Sequence, residues 1–277
     1  MSPDVIRHVR PGRGPGTLLE VTPASVGWRY LSFRVVALDP GETIEDDTAE
    51  NEIAVVPLGG SGWFRFGGET HPVSRKDVFT EKPHVAYLPP GTAYSIGGVG
   101  AFEVAIGSAP ASGRYPARLY SPADLPSFVR GGANVSRGVT CTFDPTFPSE
   151  RLIAYEILTP SGNWSSFPPH RHDGRFGTTY HEETYYYRMS PQDGFAIQRL
   201  YARDTGLDVS IAAADGDLVL VHEGYHTVAT APGTNAYYLN FLAGETKPVT
   251  HLNDPAYAWI VDDWPGRPIA IPLDPTA

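Results

Sequence analysis

The hydrophobic positions of this chain fall in short runs with β-strand composition: Tyr30–Ala37, Glu52–Val56, Gly62–Phe66, Val85–Leu88, Phe102–Ile106, Leu152–Leu158, Leu218–Val221 and Tyr237–Phe241. Turn residues bound nearly all of them, which is the pattern of sandwiches and barrels. Helical spacing appears only in Pro122–Arg130, where Pro126 interrupts it, so that stretch reads as a short turn or linker. With Gly 29 and Pro 27 among 277 residues, one position in five is a breaker, and long helices are excluded.

An internal echo suggests two modules. Lys76–Phe79 precedes the strand and Pro/Gly turn of Val85–Gly91, much as Gly216–Val221 precedes His222–Tyr225. Ser108–Pro116 and Gly131–Asn134 have linker composition, which places a boundary near residue 125 and predicts modules 1–125 and 126–277. The length accommodates two domains.

Charge narrows the partners. The formal net charge is -10 and no basic cluster stands out beyond Arg7–Arg13, so the phosphate attraction that nucleic acid requires is missing. Met1–Arg10 carries charges where a signal peptide needs an apolar core, and nowhere do about 18 apolar residues run together. A cytoplasmic protein without a membrane span is expected. Cys141, the single cysteine, reads as a buried structural thiol.

The chemistry concentrates in the second module. Strand alternation sends His170 and His172 to one face, where two imidazoles can reach one ion, and turns Arg171 away. Glu183 shares parity with Tyr185 and Tyr187, while Glu182 points oppositely. The apolar run Gly216–Val221 ends in a glycine turn that aims His226 back over the barrel mouth. Three imidazoles and one carboxylate suit zinc first, and also manganese, iron or nickel.

His170-x-His172, a downstream glutamate-rich strand and Gly216-Asp217 leading to Gly224-x-His226 resemble the two motifs of the cupin superfamily, and the echo in residues 40–110 resembles a bicupin. Ala93 then stands where His226 stands in the second module, which implies a metal-free first barrel. Trp164–Asp173, Glu182–Tyr187, Gly194–Tyr201, Gly216–His226 and Tyr237–Gly244 resemble, more closely, the 5-deoxyglucuronate isomerases of myo-inositol catabolism. The resemblance implies an all-β bicupin of two double-stranded β-helix (jelly-roll) barrels. From the related 5-keto-4-deoxyuronate isomerases it carries a zinc site of three histidines and one glutamate onto His170, His172, Glu183 and His226. Ten residues separate His172 from Glu183, more than in the general cupin motif, which leaves Glu182 as a rival ligand. His222 replaces the family's usual proline and reads as a turn residue.

The implied reaction is an aldose–ketose isomerisation of 5-deoxyglucuronate. Tyr185 and Tyr187 by parity, Glu182 by acidity, or an activated water are the base candidates. Arg199 is the candidate partner for the substrate carboxylate, with Gln198, Tyr201, Tyr238 and Asn240 as further substrate contacts. The expected partner is a small sugar acid, and barrels of this kind commonly form homo-oligomers. Isomerisation of another uronate, a cupin dioxygenase holding iron, and a non-enzymatic sugar-binding cupin are the alternatives.

Overall fold

The computed structural model describes residues 7–264, so Met1–Ile6 of the N-terminal segment and residues 265–277 lie outside the described residues. The fold is the expected all-β bicupin. In the N-terminal half, the sheet order is Gly16–Val21, Ser32–Leu38, Ala93–Pro110, Asn51–Phe66, Val85–Leu88 and Arg118–Tyr120. Thr43–Asp47 adds to the far part of Ala93–Pro110, and Glu69–Arg75 to that of Asn51–Phe66. In the C-terminal half, a seven-stranded sheet with Leu218–Val221, His181–Ser190, Asn235–Gly244 and Ile153–Thr159 at its centre faces a five-stranded one built on Ala196–Ala202, Tyr225–Thr230 and Trp164–Arg171.

Each expected run falls mostly or wholly in a strand, but two pairs of expectations need correction. Glu52–Val56 and Gly62–Phe66 belong to one long strand, because the glycines between them make register shifts instead of a turn. In Pro122–Arg130 only Pro122–Asp124 is a turn of helix. Ser127–Arg130 is a strand paired with Arg137–Phe143, so Gly131–Asn134 is part of a hairpin connection and not a linker. His8–Val9 also crosses over to pair with Leu218–Val219 in the second half.

The largest core lies between the halves. It joins Phe33, Val35, Ala54, Val56 and Tyr87 to Tyr186, Leu218, Leu220, Tyr237, Leu239 and Phe241. Alternate residues of the same C-terminal strands, Tyr185, Tyr187, Val219, Val221 and Tyr238, face a second core inside the C-terminal barrel. Both faces of this sheet are therefore buried, which is why Leu218–Val221 is apolar without alternation. No helix among the described residues is long and apolar enough to cross a membrane.

Two buried carboxylates clamp the halves together. Glu182 accepts from the backbone N–H groups of Arg29, Tyr30 and Leu31 at 2.6, 2.9 and 2.8 Å, and from the Tyr180 hydroxyl at 3.0 Å. Glu52 accepts from Glu150, Arg151 and Leu152 at 2.7, 2.6 and 2.8 Å, and from Tyr87 at 2.9 Å. Each acid thus closes the chain entry to the first inner strand of the other half. His222 serves the same contact, since the Trp28 indole donates to its Nδ1 at 2.8 Å.

Candidate metal centre

Two strands bring the histidines together. His170 lies on Trp164–Arg171 directly opposite His226 on Tyr225–Thr230, and His172 follows two residues on. Their ligand atoms lie within 4.8 Å of one another. Arg171 points away as expected and holds the scaffold, donating to Asp173 at 3.0 and 2.6 Å and to Asp204 at 3.0 Å. Asp173 in turn accepts from the Gly224 N–H at 2.8 Å, fixing the turn that launches His226. Gly224 has φ +83°, and a Cβ there would lie 2.6 Å from the Tyr201 carbonyl oxygen, so the turn requires glycine.

Glu183, on His181–Ser190, completes the group. One oxygen lies 2.9 Å from His172 Nε2 and 3.2 Å from His226 Nε2, and the other accepts from Asn240 Nδ2 at 3.0 Å. Burial acts upward on the Glu183 carboxyl, but the contacts with His172 and His226 and then their charges outweigh it and hold the group far below the usual carboxylate range. Burial, reinforced by the neighbouring imidazoles, pushes His170 well below its ordinary value. In His172 burial acts downward too, but Glu183 prevails and raises it.

The donor arrangement fits a cation. His170 Nδ1 is 3.3 Å from the Pro168 carbonyl and His172 Nδ1 is 3.2 Å from the His181 carbonyl, and carbonyls only accept. Both Nδ1 atoms therefore carry the proton and leave an Nε2 lone pair toward the centre. Among the described residues neither ring nitrogen of buried His226 makes a well-aligned hydrogen bond, and its Nε2 faces the Glu183 oxygen at 3.2 Å. Lone pairs crowded against a carboxylate need a proton or metal ion between them.

The other expected site residues divide by side. His170, His172, Glu183, Tyr185, Tyr238 and Asn240 line one cavity of about 640 Å³. The Tyr185 hydroxyl lies 3.0 Å from Ser166 Oγ, and burial raises its pKa well above 10. Tyr187 is packed within the barrel and donates to Gln198 Oε1 at 2.8 Å. Glu182 is taken out of the site: its carboxylate is spent on the other half, so it is neither rival ligand nor base. Arg199 is also removed, because strand parity turns it outward, where it pairs with Asp208 at 2.8 and 2.7 Å. Tyr201 shares that outer face and donates to Asp254 at 2.6 Å. Cys141 is buried, and burial pushes its thiol up to about 11.

Among the lining residues that the sequence did not mark as site residues are Arg130, Arg137, Ser166 and His251. His251 sits on the C-terminal extension, its ring 5.5 Å from that of His170. Only the fold carries that segment back across the mouth, through the pairing of Leu252–Asn253 with His170–Arg171.

The KduI/IolB family model matches residues 7–260. The chain belongs to the KduI/IolB family. A relative from Geobacillus kaustophilus (strain HTA426), named 5-deoxy-glucuronate isomerase, is 37% identical over 270 residues, covering 92% of this chain and 96% of the relative. One of the same name from Bacillus subtilis (strain 168) is 32% identical over 249 residues, covering 88% and 92%. The expectation of an isomerase agrees with those names. The crystal structure of an IolB-like protein from Salmonella typhimurium LT2 superimposes with a TM-score of 0.89 at 32% identity, covering 92% of this chain and 99% of that one. Oxalate decarboxylase from Bacillus subtilis, at 13% identity and a TM-score of 0.64 over 91% of this chain and 80% of its own, shares the fold of this KduI/IolB member.

Proposed function

We propose that this chain is a metal-dependent aldose–ketose isomerase that converts 5-deoxy-D-glucuronate into 2-deoxy-5-keto-D-gluconate. The observation that carries the reading is the convergence of three imidazoles and a carboxylate, two of the imidazoles and the carboxylate lining one cavity, in a chain whose relatives bear that enzyme's name. His170, His172, Glu183 and His226 hold one divalent ion, zinc first by donor set, with manganese, iron and nickel compatible. When bound, the ion supplies Lewis acidity to a substrate carbonyl.

The residues around it supply the rest. Isomerisation moves a proton from the hydroxyl-bearing carbon to the neighbouring aldehyde carbon, so the site needs a proton acceptor and a donor to oxygen. His251 lines the cavity, where burial and then the neighbouring His172 and Arg130 charges lower its pKa, and its neutral imidazole is the acceptor. Tyr185 keeps its proton, so it donates a hydrogen bond instead of acting as the base that its parity suggested. Asn240 orients Glu183. The test is NMR of the purified protein with 5-deoxyglucuronate in deuterated water. The aldehyde signal should give way to a hydroxymethyl ketone, with deuterium on the former aldehyde carbon in part of the product. An aldehyde unchanged by the metal-loaded protein would reject the reading.

A further inference from the structure

The cavity beside the histidines is also lined by two arginines that pair with no acid among the described residues. Arg130 and Arg137 face each other directly across the hairpin Ser127–Arg130/Arg137–Phe143. Like charges so placed destabilise a sheet unless an anion lies between them. The half-buried or buried arginines Arg34, Arg75, Arg171 and Arg188 each hold a carboxylate, at 2.6, 2.7, 2.6 and 2.9 Å. Arg137 does not: among the described residues it donates to the Val135 carbonyl at 2.9 Å and the Phe167 carbonyl at 3.5 Å, and pairs with no acid. Arg130 lies over the Phe128 ring. Three of the five N–H groups of Arg137 are unspent. Burial lowers its pKa, and the charge of Arg130 adds to the effect, the reverse of what a bound anion would do.

Local backbone is shaped around this guanidinium. Gly131 has φ +85°, and a Cβ there would fall 2.2 Å from the Val135 oxygen and 2.8 Å from Arg137 Nη1. The turn therefore leaves open the space that the guanidinium occupies.

We infer that Arg137, with Arg130 beside it, anchors the substrate carboxylate and sets a requirement for a sugar acid. The inference takes its substrate class from the isomerase reading above. It places the acid end of the substrate on the hairpin and the carbonyl end on the histidines, the role that Arg199 cannot fill from the outer face.

The experiment compares D-glucuronate with its neutral isostere D-glucuronamide by calorimetric binding to the metal-loaded protein, and follows turnover of 5-deoxyglucuronate separately. The wild type should prefer the acid by roughly tenfold or more, as charge-assisted hydrogen bonds imply. In Arg137→Met that preference should collapse to within about twofold, and KM should rise more than kcat falls, with metal content retained. Arg137→Lys should restore part of the preference, and Arg130→Met should lose a smaller part of it. Equal binding of acid and amide by the wild type, or an unchanged preference in folded Arg137→Met, overturns the inference. If Arg137→Met does not fold, an unchanged preference in Arg130→Met overturns it and a reduced one supports it. An acid preference that Arg137→Met abolishes, in a protein that never converts 5-deoxyglucuronate, supports the anchor while the isomerase reading falls.

Discussion

The two barrels keep the same outer clamp and differ inside by what stands one residue further along the strand. Glu52 and Glu182 each bind three consecutive backbone N–H groups of the other half, so the two strands stand in matching places. The next residue, facing each barrel's interior, is Ile53 in one and Glu183 in the other. Ile53 lies among Val36, Val55, Phe64, Leu88, Ile96, Phe102 and Val104, an interior filled by side chains. Glu183 lies against two histidines beside an open cavity. One scaffold thus carries either packing or chemistry, and the contact that unites the halves is independent of which.

The comparison can be broken or sharpened in decreasing order of expected effect. His251→Gln, confined to the polar barrel, should lower kcat by about 10²–10⁴-fold with bound metal retained. Steady-state kinetics with metal analysis would check this, and an unchanged kcat would return His251 to a bystander. Ile53→Glu places a lone carboxylate in the apolar barrel and should cost about 3–5 kcal/mol in urea unfolding. A much smaller loss would mean that this interior is wetter than its packing implies. Glu52→Ala and Glu182→Ala should each cost about 3 kcal/mol or more, because each leaves three backbone donors unpaired. The sharper prediction is that the two losses match, while Glu182→Ala leaves bound metal intact, and a Glu182→Ala protein stripped of metal would refute the division of labour between Glu182 and Glu183. Asn240→Ala frees Glu183 from its orienting amide and should weaken metal affinity by roughly 10–100-fold, measurable by competition with a chelator.

Much of this architecture was readable from the chain. Strands were legible because turn residues bracket apolar runs, and the His170/His172 pair because alternate residues share a face. The choice between Glu182 and Glu183 was not, because both faces of that strand are buried, one against each core. Arg199 looked like the substrate anchor because no sequence pattern reveals that Asp208 awaits it on the next strand. Arg130 and Arg137 escaped notice for the converse reason: their hairpin lay in a stretch read as linker, and cross-strand register cannot be seen in a single sequence. His251 belongs to an extension that reaches the site only through tertiary pairing.

The most direct test is the metal content of purified chain by plasma mass spectrometry, wild type beside Glu183→Ala and His226→Ala. The account predicts about one divalent ion per chain, lost from both variants while the cooperative unfolding transition persists. Full metal occupancy in both variants, or an active wild type containing none, would contradict it.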